Sequence, residues 1–269
     1  MSTLTQLRSS RELLWNLTLR ELRTKYRRSV LGWAWSMLNP LATVAIYSLV
    51  FGKLLGAQAE TGDPSGLDSF ALFLLCGLLP WNFFALVQGL GMGALIGNAG
   101  LVRKVAFPRE VLVLAQVGHG MVQFGIEMLL LAVVLIIAGS PIVPWLPVTI
   151  LLMIMLAAFA AGLALALSAI GVYFRDLPYL WTIVLQVWFF ATPIVYPPTL
   201  LAEQLPSWAN RLLSYNPMAR YCAAFRRTLY DGTAPGWLSM LALAAMSAAM
   251  LFVGWKLFER LSVRFAEEL

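Results

Sequence analysis

The feature that most constrains this chain is a series of long stretches without a single Asp, Glu, Lys or Arg: Ser29–Gly52, Ser69–Val102, Val111–Ile126, Met128–Phe174, Leu177–Ala202 and Gly232–Trp255. A helix that rises about 1.5 Å per residue needs roughly 20 apolar residues to cross a bilayer core of about 30 Å. Most of these stretches reach that length, and only Glu127 separates the third from the fourth. With 60% hydrophobic and 12% charged residues and a mean hydropathy of +0.78, a soluble globular domain is excluded. The first apolar run begins near residue 30, is too long for a signal core and is followed by no small-residue cleavage site. It is therefore expected to stay as a membrane span.

Turn chemistry divides the longest stretch. Pro141, Pro144 and Pro147 follow Gly139 closely, and a continuous helix would not hold them. The expected fold is an all-α polytopic membrane protein, residues 1–269 forming one transmembrane domain of six spans at 30–52, 70–94, 111–138, 148–172, 178–196 and 236–256. Gly89, Gly91, Gly93 and Gly97 are expected to be able to unwind the end of the second span. Both termini and the loops near 95–110 and 173–177 carry most of the 19 Lys and Arg residues, which places that side in the cytoplasm. The segment between Pro197 and Gly236 works against this assignment, since Arg211, Arg220, Arg226 and Arg227 fall on the opposite side.

Before the first span, Ser9-Ser-Arg-Glu12 fits a capping box, and Trp15, Leu19, Leu22 and Tyr26 form an apolar stripe beside Arg20, Arg23 and Arg27. Residues 9–28 are thus expected to form a helix lying on the cytoplasmic leaflet, its cations level with anionic headgroups. Fixing topology and binding a specific anion both account for the cluster.

Several chemistries lack their residues. The sequence holds no GxxxxGK[ST] phosphate loop, and Gly89-Leu-Gly91-Met-Gly93 lies inside an apolar span with no strand before it. Cys76, Cys222 and the single His119 make no metal-ligand set, so no metal site is expected. No nucleophile has an evident base, which leaves a membrane glycosyl or acyl transferase without a catalytic constellation. In the third span Gln116, His119, Gln123 and Glu127 recur on one helix face. Two readings of that face stand: hydrogen bonds that hold neighbouring helices, or a polar lining for a transport path, as a secondary transporter or ion channel would need. Aromatic pairs are frequent, among them Phe83-Phe84 and Trp188-Phe189; helix packing and the membrane interface account for such residues, and so would a carbohydrate path, since sugar rings stack on aromatic planes. Between spans two and three, Leu101, Val102, Val105 and Phe107 with Arg103 and Lys104 make a short amphipathic segment. It fits a partner surface or an interfacial turn.

Arg20-Glu-Leu, Lys25-Tyr-Arg27, Ser29-Val-Leu-Gly32, Trp35 and Leu38-Asn-Pro-Leu41 together resemble the N-terminal signature of permease subunits of ABC-2 type polysaccharide exporters, the family of O-antigen and teichoic acid exporters. The likeness continues at Leu101–Glu110, Tyr173-Phe-Arg-Asp176, Thr192-Pro-Ile-Val-Tyr196, Asn216-Pro-Met and Phe225-Arg-Arg, nearly the whole chain. The resemblance implies a homodimer in the bacterial cytoplasmic (inner) membrane, both termini cytoplasmic, bound to two copies of a separate ATPase that holds ATP and Mg. This chain would then bind no cofactor, hydrolyse nothing itself and contact no nucleic acid. The cargo would be a lipid-linked polysaccharide, with a polyprenyl diphosphate as the expected carrier.

Residue by residue, the resemblance makes 99–108 a coupling helix, with Gly100, Leu101, Val102, Arg103, Lys104, Val105 and Phe107 facing the ATPase. Arg23, Lys25, Arg27, Arg28 and Arg175 become candidates for meeting a lipid diphosphate at the path entrance, since guanidinium pairs well with phosphate oxygens. The first and fifth spans would line the path, with Trp33, Tyr47, Trp188, Phe189 and Tyr196 as lining candidates beside Gln116, Gln123 and Glu127 of the third. Residues 197–235 would shape an external gate from two short amphipathic helices. The second starts at Asn216 and Pro217 and carries Tyr221 and Phe225, and its arginines either snorkel toward phosphate or glycan or form a solvated face.

Overall fold

A computed structural model describes residues 11–25, 34–54, 61–105, 107–196 and 215–268. Among these the chain is helical, with no strand: α1 (Arg11–Lys25), α2 (Ala34–Tyr47), α3 (Phe70–Ile96), α4 (Ala99–Lys104), α5 (Glu110–Ile137), α6 (Leu146–Tyr173), α7 (Leu177–Phe190), α8 (Pro217–Arg226), α9 (Trp237–Ser262) and α10 (Phe265–Glu268). Among the described residues, four helices are long and apolar enough to cross a membrane: α3, α5, α6 with the 3-10 turn before it (Val143–Tyr173), and α9. This is an integral membrane protein. The first and fifth expected spans correspond to shorter elements. α2 continues into a π-helical stretch, Ser48–Leu54, and α7 ends at Phe190, after which residues 191–196 turn.

The core lies where α3, α5 and α6 meet, with Leu74, Phe84, Val87, Leu112 and Leu165 excluded from solvent. α6 and α9 pack along their length at backbone distance: a Cβ on Gly254 would lie 1.8 Å from the Gly162 carbonyl oxygen, and one on Gly162 would lie 2.4 Å from that of Met250. Small residues allow this approach, which van der Waals contact stabilises where lipid removes the hydrophobic drive between helices. Gly89 to Gly97 do not unwind α3. It stays helical to Ile96, with Gly91 packed on Ala164. Close helix contact outweighs the intrinsic cost of glycine there.

α1 lies against α5, on a face that shares only part of its apolar stripe. Leu17, Thr18 and Leu22 are buried and Trp15 is 62% exposed. Gly118 on α5 admits Thr18, whose hydroxyl donates 2.9 Å back to the Leu14 carbonyl oxygen. Trp15 is left facing outward, as an interface aromatic would be. Ser9 of the capping box, and the short helix expected before Asn216, lie outside the described residues.

Candidate functional site

At the end carrying α4, Asn98 precedes the helix and its amide donates 2.9 Å to the Ala94 carbonyl oxygen. Arg20 of α1 donates 3.0 Å to the Asn98 side-chain oxygen and pairs with Glu21 at 2.7 Å, so α1 and α4 are tied directly. Val102 turns into the core, Leu101 and Phe107 are half-buried, and Gly100, Arg103, Lys104 and Val105 are exposed. Arg23 and Arg175 are exposed; Arg175 flanks a cleft of about 380 Å³ shared with Ile96, Ala99, Val172 and Glu268. Lys25 closes α1. Arg27, Arg28 and Trp33 lie outside the described residues.

Aromatic rings gather between α3, α7 and the end of α2. Trp81 meets Trp188 at 6.3 Å and Phe189 at 5.6 Å between ring centroids. Phe84 meets Trp188 at 5.2 Å, and Tyr47 meets Phe189 at 6.5 Å. Trp188, Phe189 and Tyr47 are half-buried, and the Tyr196 hydroxyl donates to the Phe190 carbonyl oxygen. α7 itself buries no residue. Its Tyr179, Ile183 and Val187 stand exposed.

The polar face of α5 turns inward. Gln116, His119 and Glu127 are buried, and Gln123 donates 2.8 Å to Glu127. Among the described residues no group of three or more His, Cys, Asp or Glu side chains is placed to hold a metal ion.

The segment from Tyr215 onward is built on Asn216. Its side-chain oxygen accepts from the backbone N–H of Met218 (3.0 Å) and Ala219 (3.4 Å), and from Trp188 Nε1 at 2.8 Å. Its amide donates 3.0 Å to both the Ala191 carbonyl oxygen and the Thr192 hydroxyl. One residue thus starts α8 and joins it to α7 and its following turn, with Pro217 at the first helical position. Tyr221 and Phe225 are fully buried: Tyr221 hydrogen-bonds Ser247 of α9 and Phe225 packs on Phe124 of α5.

Arg226 departs from both readings of the arginines, being neither snorkelled nor solvated. It is only 6% exposed and donates to the carbonyl oxygens of Phe73 (3.3 Å), Pro193 (2.5 Å) and Ile194 (2.6 Å). Its guanidinium lies 3.7 Å from the Phe73 ring centroid. Gly77 leaves the room, since a Cβ there would lie 2.9 Å from Arg226 Nη2. Beyond it, Tyr230 donates 2.8 Å to the Leu67 carbonyl oxygen, and burial raises its phenol above the usual range. Gly232 takes φ +72°, and a Cβ there would lie 2.7 Å from Pro141. The only sequence signal for this anchor was the position of Gly77 in an apolar helix, and it named no partner.

The family model described as "ABC-2 type transporter" matches residues 12–230. The chain is 32% identical over 262 residues to the O-antigen export system permease protein RfbA of Myxococcus xanthus, covering 96% of each chain. It is 29% identical over 258 residues to an O-antigen export system permease protein RfbA of Klebsiella pneumoniae, covering 95% of this chain and 94% of the relative. To the polysialic acid transport protein KpsM of Escherichia coli it is 25% identical over 245 residues, covering 90% of each.

Proposed function

The chain is a member of the ABC-2 type transporter family, and from that premise we propose that it is the permease of an ATP-driven polysaccharide exporter in the bacterial cytoplasmic membrane. Its cargo is a glycan carried on a polyprenyl diphosphate. Two copies enclose the path and two copies of a separate ATPase supply ATP and Mg; both termini lie in the cytoplasm and six spans cross. The observation that carries this reading is full-length similarity to permeases named for O-antigen export.

The geometry supports it at three places. α4 sits on the turn between α3 and α5 with Gly100, Arg103, Lys104 and Val105 outward, a short amphipathic element able to seat in a partner's cleft. The rings of Trp81, Trp188 and Phe189 supply flat apolar surfaces against which sugar rings slide without strong hydrogen bonds. Arg23 and Arg175 are exposed, Arg175 in the cleft beside Ala99 of α4, and they are joined in sequence by Lys25, Arg27 and Arg28 as the cations that meet the lipid diphosphate. Each of them favours an anion at the membrane surface.

The test is to purify the chain with the ATPase encoded beside it and measure ATP hydrolysis against lipid-linked glycan. Stimulation is expected, and replacing Arg27, Arg28 and Arg175 with Gln is expected to raise the half-maximal glycan concentration. Hydrolysis indifferent to glycan contradicts the exporter; an unchanged midpoint in the substituted protein dismisses the arginine assignment alone.

A further inference from the structure

A helix of one turn has almost no stability of its own. α10 nevertheless buries Phe265 completely. Its ring meets Phe258 of α9 at 5.5 Å, nearly edge-on, and Tyr173 at the end of α6 at 6.3 Å. The Arg109 guanidinium, just before α5, stands 5.9 Å from the same ring and donates to the Ser262 carbonyl oxygen. Tyr173 closes the set by donating 2.9 Å to the Leu261 carbonyl oxygen. α10 also packs on α4, and Glu268 faces the cleft beside Ala99, the first residue of that helix.

We propose that Phe265 is a positioning residue for transport: with Arg109 and Tyr173 it forms a strut that passes displacement of α4 to the α6–α9 pair. The inference rests on reading α4 as the ATPase-facing helix. Three rigid connections make the route continuous. Arg20 and Asn98 hold α4 to α1. Phe265 and Arg109 hold the ends of α5, α6 and α9 together. Gly162 and Gly254 bring α6 and α9 into direct backbone contact. Packed helices in such contact move as units rather than deforming smoothly. A push on α4 from below would therefore reach α9 through α10, in addition to travelling along α3 and α5.

The test uses the full permease–ATPase complex in proteoliposomes, with ATP hydrolysis and glycan export measured on the same preparation. Phe265→Ala is expected to assemble and to keep basal hydrolysis while glycan exported per ATP falls roughly two- to thirtyfold. Arg109→Gln, which removes the second member of the joint and leaves the ring in place, is expected to show the same split, and it decides the matter if Phe265→Ala does not assemble. Export per ATP unchanged in an assembling variant overturns the proposal, as does parallel loss of assembly and hydrolysis in both, which would assign the joint to packing alone. A wild-type complex that exports nothing on ATP removes the exporter reading instead.

Discussion

Replacing Arg226 with Met keeps an unbranched, flexible apolar stem and removes every donor. Pro193 and Ile194 belong to the turn after α7 and would lose the guanidinium that their carbonyl oxygens face at 2.5 and 2.6 Å. Each buried carbonyl so abandoned costs about 1–3 kcal/mol, and the lost contact with the Phe73 ring adds about 1–2 kcal/mol. The Phe73 carbonyl oxygen is counted lightly because it sits within α3. Relief of the desolvation borne by a buried cation offsets part of the loss, leaving about 2–5 kcal/mol. The effect should be local, because these bonds join α8, the 191–196 turn and the start of α3. Hydrogen exchange in detergent or nanodiscs is the suitable assay: amides of residues 194–196 and of α8 should exchange roughly 30- to several-thousand-fold faster, with the α6–α9 pair unchanged. Exchange within about threefold of wild type in both segments would refute the latch.

Asn216→Ala should lose about 2–4 kcal/mol by removing a helix cap together with the bonds to Trp188, Ala191 and Thr192. Thermal unfolding followed by tryptophan fluorescence checks it, and an unchanged midpoint would contradict it. Gly254→Ala should destabilise by at least about 1–3 kcal/mol, since its Cβ would meet the backbone of Gly162 rather than a movable side chain. Yield and unfolding temperature report this, and a neutral result would mean that the two helices are less tightly apposed. Glu127→Gln preserves an acceptor for Gln123 and should leave export largely intact; complete loss at normal expression would give the carboxylate a part in the transport path.

Long uncharged stretches were enough to locate α3, α5, α6 and α9, because a span is dictated by local composition and length. Asn216-Pro217 was equally legible as a helix start, since a cap uses residues adjacent in sequence. What sequence could not disclose depends on distant partners. Arg226 reads as one more surface cation until Phe73, 153 positions away, supplies an acceptor and Gly77 the space. The face of α1 that meets α5 is hidden from sequence for the same reason: Thr18 carries no apolar signal, and only Gly118 explains why this small side chain goes inward while Trp15 stays at the surface. Tyr221 and Phe225 were placed on the correct stripe of α8, but their depth follows from Ser247 and Phe124, contacts that a helical period does not encode. Phe265 carries no sequence signal at all.

The most direct measurement compares proteoliposomes containing this chain alone with others containing the chain and its ATPase, each loaded with lipid-linked glycan and given ATP. Glycan should cross only when the ATPase and ATP are both present. Transfer by the chain alone, or transfer that ignores ATP in the complete assembly, would contradict its role as the permease half of an ATP-driven exporter.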